Sequence, residues 1–139
     1  MIILDTNVLS ALMLRQPPTN VAAWLDQQPW TSVWTTAITV FEIRYGLAAM
    51  PSGRRRIERE LAFKRALEER LEGRILPFDE AAAEEAAILS ATRQRSGRMG
   101  EMRDTMIAGI ALAQHATLVT RHVRHFDDLT LPVIDPWQA

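Results

Sequence analysis

Three acidic residues, Asp5, Glu42 and Asp104, stand where the chain changes from one kind of element to another. Asp5 follows the short apolar run Met1-Ile2-Ile3-Leu4, which reads as a buried strand. It precedes Val8, Leu9, Ala11 and Leu12, an apolar pattern at helical spacing. Glu42 falls in the first turn of the helix after a second strand. Asp104 opens the apolar helix that leads into the strand Thr117–Thr120. Carboxylates that converge repel one another, and the arrangement is stable only when protonated or neutralised by a hard cation. Oxygen ligands without Cys or His suit Mg²⁺ or Mn²⁺ rather than zinc. Such a centre lowers the pKa of a bound water and clamps phosphate oxygens for an in-line displacement. The chemistry is metal-assisted phosphodiester hydrolysis. Each acid also has a plainer reading. Asp5 and Asp104 are ordinary helix N-caps. Thr39-Val40-Phe41-Glu42 fits a capping box, in which Thr39 and Glu42 satisfy each other's backbone donors.

The elements that must position these acids follow from periodicity and breakers. After the first strand and helix, Pro17 and Pro18 interrupt the chain. Asn20 is suited to cap a helix running to Gln28, and Ser32–Thr36 is rich in β-formers. A helix over Ile38–Ala49 follows, with Gly46 inside it. A charged helix then runs from Arg54 to Glu72, with Ile57, Leu61, Phe63, Leu67 and Leu71 on one side and Gly73 closing it. Ile75–Phe78 is a short extended segment, and Asp79 caps an alanine-rich helix ending near Gln94. Residues 95–100 form a loop, a helix spans Thr105–His115, and Arg121–Asp128 is polar loop. Leu131–Ile134 is a last strand. Short strands alternating with longer helices predict an α/β fold, a single domain over residues 1–139. Its central parallel sheet is flanked by helices on both faces, with right-handed crossovers. Helices that follow parallel strands begin at one sheet edge, which brings Asp5 and Glu42 together. Asp104 starts a helix that feeds into a strand, so topology places it at the opposite edge. To join the other two it must lie deeper in its helix, or the preceding loop must climb back.

Composition narrows the field. Hydrophobic content of 47% and charged content of 24% are ordinary for a globular domain. No apolar run approaches the ~18 residues of a membrane span. The N-terminal run lacks the basic start and small-residue cleavage site of a signal peptide. The absence of cysteine excludes disulfides and thiolate zinc sites, so the cytoplasm is expected. Net charge is -1, yet 15 of the 16 basic residues are arginine. Arginine's planar fork suits phosphate, and equally suits carboxylates within the protein. No nucleophile–base triad is present, and the six glycines form no phosphate-binding fingerprint.

Four segments in order carry a resemblance. Ile3-Leu4-Asp5-Thr6-Asn7-Val8-Leu9-Ser10, Thr36–Gly46, Arg74–Asp79, and Asp104-Thr105-Met106-Ile107-Ala108-Gly109 with Leu118-Val119-Thr120-Arg121 resemble the motifs of PIN-domain ribonucleases. The match is to the VapC toxin type, in its FitB-like branch. The resemblance implies a Mg²⁺- or Mn²⁺-dependent endoribonuclease, the toxin of a type II toxin–antitoxin pair. It implies a small antitoxin laid across the groove, a homodimer, and Asp5, Glu42 and Asp104 as the acidic site. Thr6 and Asn7 are implied as supports for Asp5, and the helix-starting role then falls to Asn7; Thr120 supports the site from the strand before it. One position departs. Many relatives carry Asn or Asp after Thr120-Arg121, and the FitB-like branch has a fourth acid there, whereas this chain has His122. That histidine reads as a metal or phosphate contact, or as a loop residue, with Asp127 and Asp128 the other sources of negative charge. Its presence motivates a rival reading, a PIN-fold binding or scaffold protein with an impaired metal site. A housekeeping RNA-processing nuclease is a second rival. A metal-dependent phosphatase would need an acid where Asn7 stands. Arg98, Arg103 and Arg121 read either as RNA phosphate contacts or as solvated charges. Trp24, Trp30 and Trp34 are expected in the core or facing a partner rather than stacking on bases.

Overall fold

The computed structural model describes residues 1–139. Five short strands form one parallel sheet: β1 (Ile2–Leu4), β2 (Val33–Thr36), β3 (Ile75–Leu76), β4 (Thr117–Val119) and β5 (Val133–Ile134), in the order β3-β2-β1-β4-β5. Between them run α1 (Thr6–Leu12), α2 (Thr19–Asp26), α3 (Ala37–Ala49), α4 (Arg54–Arg65), α5 (Glu80–Arg95) and α6 (Met102–Ala113). The period-2 alternation of a strand explains the two cores. Leu4, Val33 and Val119 face a layer built by α1 to α4, where Val8, Leu25, Ile43, Phe63 and Leu71 pack. Ile3, Leu76 and Leu118 face the other layer, with Leu89, Ile107, Ile110 and Phe126. A parallel strand buried on both faces needs continuous apolar sequence, and Ile2-Ile3-Leu4 and Leu118-Val119 supply it.

The expected fold class is correct, and several boundaries move. Helix α2 begins at Thr19 with Pro18 at its cap; Asn20 instead donates its side-chain amide to Trp137 O at 2.6 Å, tying the C-terminal segment down. The charged helix does not run unbroken to Glu72: it is α-helical to Arg65 and continues as a π-helical turn over Ala66–Arg70. Only its C-terminal apolar residues are in the core. Phe63, Leu67 and Leu71 are buried, but Ile57 and Leu61 are 64% and 45% exposed. Gly73 ends the segment at φ 74, a conformation that favours glycine.

The two central arms of the sheet diverge at β1: successive elements step to β2 and β3 on one side, then return to β4 and β5 on the other. This reversal opens a crevice outside the carboxyl ends of β1 and β4, the usual ligand position in open parallel sheets. The β3-to-β4 connection carries two helices, and this settles where Asp104 lies. Helix α5 packs along α6, with Gly109 seated against Ala82 and Ala86; a Cβ at Gly109 would lie 2.5 Å from Ala82 O. The C-terminal end of α5 reaches the loop after β4 through Arg93, which bonds Asp128 and His125 O. Helix α5 therefore ends at the carboxyl edge, and α6 starts there and runs back to the amino end of β4. The expectation that topology sends Asp104 to the opposite edge is overturned, because a helix that leads into a parallel strand runs antiparallel to it and so begins at the carboxyl edge.

Candidate active site

Asp5 is 3% exposed and caps α1, accepting from Thr6 N at 2.8 Å through Oδ1. The cap is therefore Asp5 itself and not Asn7. Its Oδ2 accepts from Asn7 Nδ2 at 2.9 Å and from Thr120 Oγ1 at 2.7 Å. Two of these partners are held in turn: Thr120 Oγ1 also accepts from His122 N at 3.0 Å, and Asn7 Oδ1 accepts from Arg121 N at 2.9 Å. The backbone of Asp5 donates to Val119 O. Thus β1 and β4, adjacent in the sheet, deliver one oriented carboxylate at their shared edge. A buried carboxylate whose two oxygens both accept hydrogen bonds is held in one orientation.

Glu42 and Asp104 reach the same place from α3 and α6. Helix α3 is capped by Thr36, whose Oγ1 accepts from Thr39 N at 3.1 Å. The capping box at Thr39 does not form. Glu42 lies a turn deeper than that box required, and its Oε1 accepts from Thr6 Oγ1 at 3.1 Å, where Thr39 Oγ1 also approaches at 3.0 Å. Helix α6 is likewise capped one residue group earlier than expected. Glu101 is the cap and accepts from Asp104 N at 3.0 Å, which leaves the Asp104 side chain free of capping. Asp104 Oδ2 lies 3.0 Å from His125 Nδ1.

The electrostatics record the convergence. Partial burial pushes the Asp104 carboxyl above its usual range, with the Asp5 charge adding to the effect and His125 opposing it. Burial likewise raises Glu42; the Thr6 hydrogen bond and Arg103 oppose, while Asp5 and Asp104 add. Glu42 thus feels both of the other acids, and Asp104 feels Asp5. As they stand, no three acidic or histidine side chains enclose a space fit for an ion: Glu42 is turned onto Thr6, and Asp104 onto His125. The donor set is nonetheless three carboxylates with like-charge repulsion to relieve, which suits a hard divalent cation.

The remaining candidates divide. Arg103 stands at the rim, bonded to Glu101 at 3.1 Å and 4.0 Å from Glu42. Arg98 is engaged elsewhere, donating to Asp127 at 2.7 Å and to Arg124 O. Arg121 lies over the Trp137 ring at 4.8 Å. His122 is exposed and stacks its ring on His125, centroids 5.0 Å apart, with no side-chain bond to Asp5. Asp128 is consumed by Arg93 and Asp127 by Arg98, so neither replaces a fourth acid. Trp24 and Trp30 are half-buried against one core and Trp34 against the other. Sequence reasoning missed His125, Glu101 and Arg93. Arg93 had a readable signal, since it continues the stripe Ala82, Ala86, Leu89 at helical spacing and so had to point inward.

A PIN-domain family model matches residues 2–129. The chain belongs to the PIN-domain family. Within it, this PIN domain is 40% identical to VapC ribonuclease Y4jK of Sinorhizobium fredii over 99% of both chains. It is 37% identical to toxin FitB of Neisseria gonorrhoeae, again over 99% of both. A solved structure of FitAB bound to a DNA fragment superposes with a TM-score of 0.89, at 34% identity, covering 99% of this PIN domain and 96% of that chain. The resemblance to VapC and FitB proteins stated from the motifs is therefore correct.

Proposed function

We propose that this PIN domain is a divalent-metal-dependent endoribonuclease, the toxin of a toxin–antitoxin pair, acting from Asp5, Glu42 and Asp104. The observation that carries the reading is the meeting of three carboxylates, two of them held above their normal pKa range by burial and by neighbouring carboxylates, outside the carboxyl ends of β1 and β4. Likeness to a VapC ribonuclease and to toxin FitB supports both halves of the reading. Mg²⁺ or Mn²⁺ held by Asp5 and Asp104, with Glu42, would neutralise the cluster and act as a Lewis acid toward a phosphodiester. The chain's own residues do the rest. Thr6, Asn7 and Thr120 fix Asp5 in a single orientation, so no reorganisation of that ligand is needed. Glu42 is held by one hydroxyl and a distant arginine, and is the acid most free to take a proton from an attacking water. Arg103, exposed at the rim, is placed to meet an RNA phosphate.

An antitoxin partner is part of the proposal. Beside the site lies a cleft of about 390 Å³ bordered by Thr6, Met13, Leu14, Glu42 and Arg103. A second, wider groove continues past Leu14 and Leu61 under Arg55, Arg59 and Arg65. Leu14 and Leu61, 53% and 45% exposed, leave apolar surface open along this path. A small protein with an apolar segment and acidic side chains fits this path. A homodimer in the cytoplasm completes the reading; no helix is long and apolar enough to cross a membrane.

The purified chain, freed of any partner, should cleave RNA in Mg²⁺ or Mn²⁺ and stop when chelator is added. Asp5→Asn should remove the activity. Cleavage that persists in chelator, or an Asp5→Asn variant as fast as the wild type, would overturn the proposal. The scaffold alternative is disfavoured by the intact acids: His122 faces His125 and solvent, and it displaces none of them.

A further inference from the structure

Arg93 is 2% exposed, and its guanidinium is completely engaged. Nε and one Nη bond both oxygens of Asp128 at 2.8 and 2.9 Å; the same Nη donates to His125 O at 2.9 Å, and the other reaches Thr105 Oγ1 at 3.3 Å. The pocket is shaped around it: a Cβ on Gly100 would lie 2.5 Å from the guanidinium. One side chain thereby joins α5, α6 and the loop after β4. Phe126, fully buried beside His125, anchors the same loop in the core. The anchored stretch presents two stacked imidazoles, and only the second touches the acidic site, through His125 Nδ1 and Asp104 Oδ2 at 3.0 Å.

We infer that His125 is the positioning residue for Asp104, taking the place in the site that His122 does not fill, and that the Arg93–Asp128 clamp acts on the site by setting the His125 ring. This rests on the proposed metal-dependent nuclease. A carboxylate ligand needs a fixed partner for the oxygen that faces away from the ion, and loss of such a partner lowers metal affinity by about 10–100-fold. The bidentate Arg–carboxylate pair supplies the rigidity, because both of its hydrogen bonds must break before the loop can shift. Lysine could not do this, having no planar fork to span Asp128 and His125 O together.

The test measures Mn²⁺ affinity by the electron paramagnetic resonance of free Mn²⁺, on the full chain. Variants are His125→Ala, His122→Ala, Asp128→Asn, the Asp128→Asn/His125→Ala double variant, and Gly100→Ala, which crowds the guanidinium while leaving both charges. His125→Ala should weaken Mn²⁺ binding about 10-fold or more, and His122→Ala should leave it unchanged. Asp128→Asn and Gly100→Ala should weaken it in the same direction. The double variant should be no weaker than His125→Ala alone, since the clamp acts through that ring. A second readout needs no metal. The ring-carbon NMR signal of His125 should move with Asp104→Asn in the otherwise wild-type protein, and no longer respond to Asp104→Asn once Asp128→Asn is present. Asp128→Asn that lowers the melting temperature but moves neither readout would reduce the clamp to a purely structural pair and overturn the inference. So would effects of the two substitutions that multiply. Wild-type protein that binds no Mn²⁺ but keeps the NMR coupling would instead sink the nuclease reading while leaving the placement of His125 standing.

Discussion

Thr120→Val removes one hydroxyl and nothing else of size, which makes it the sharpest perturbation of the Asp5 support. Thr120 is 0% exposed. Its Oγ1 donates to Asp5 Oδ2 at 2.7 Å, accepts from His122 N at 3.0 Å and lies 3.3 Å from Asn7 Nδ2. Valine keeps the branched shape and the volume, so no cavity forms. The hydrogen bond lost is to a charged acceptor, worth roughly 1.5–3 kcal/mol, and the His122 N–H is left short of its acceptor. His122 is exposed, and water can take over that N–H, so the second loss adds little. The expected destabilisation is about 2–3 kcal/mol. For a chain of this length that corresponds to roughly 3–4 °C per kcal/mol in melting temperature. Urea unfolding in chelator reads it directly: the midpoint falls while the slope stays constant. Thr120→Ser, which retains the hydroxyl, should recover most of the loss. A Thr120→Val variant within about 0.5 kcal/mol of wild type would refute the reasoning that this hydroxyl holds Asp5, as would equal losses for Val and Ser.

Further outcomes follow from the same geometry. Gly109→Ala should destabilise by about 1–3 kcal/mol or more, because α5 and α6 must part to admit a Cβ against Ala82 O; calorimetry unchanged from wild type would contradict their close approach. Glu42→Gln keeps an acceptor for Thr6 and removes a charge whose pKa is raised mainly by burial. A carboxyl raised in the folded chain contributes stability that is fully present below its unfolded pKa and lost as pH rises through the folded value. Metal-free Glu42→Gln should therefore gain on the wild type as pH rises above the ordinary carboxylate value of 4.5 in urea unfolding, and a difference that stays constant with pH would contradict the shift. Arg103→Ala should raise KM for RNA with little change in kcat and flatten the salt dependence of binding by about one phosphate contact; Arg98→Ala, whose guanidinium is held by Asp127 and Arg124 O, should do neither.

How much of this was legible in the sequence depends on whether a residue's neighbours are local. Strands and helices follow from period and breakers, and Asp79 caps α5 as read, accepting from Ala82 N at 3.0 Å. Caps failed where a competing side chain lay just upstream: Thr36 displaces Thr39, and Glu101, an uncommon capping type, displaces Asp104. Both errors understated the acids, since each cap taken by another residue frees a carboxylate. Asp104 was legible from topology after all, since a helix leading into a parallel strand begins at the carboxyl edge; the packing of Ala82 and Ala86 on Gly109, which sets α5 against α6, has no periodic signature. His125 was hidden for a related reason. It lies three residues from His122 in a polar loop, and the buried Arg93 that holds its backbone carbonyl is 32 positions away in the chain. Ile57 and Leu61 looked like core by spacing and are exposed, since of this helix's apolar stripe only the C-terminal residues Phe63, Leu67 and Leu71 reach the core.

The proposed chemistry stands on a divalent cation held by Asp5 and Asp104 with Glu42 beside it. Anomalous scattering from Mn²⁺ diffused into crystals of the wild-type chain measures this without any assumption about substrate. A peak is expected among these three carboxylates, lost in Asp104→Asn. No peak there at saturating Mn²⁺, or one that survives in Asp104→Asn, would contradict it.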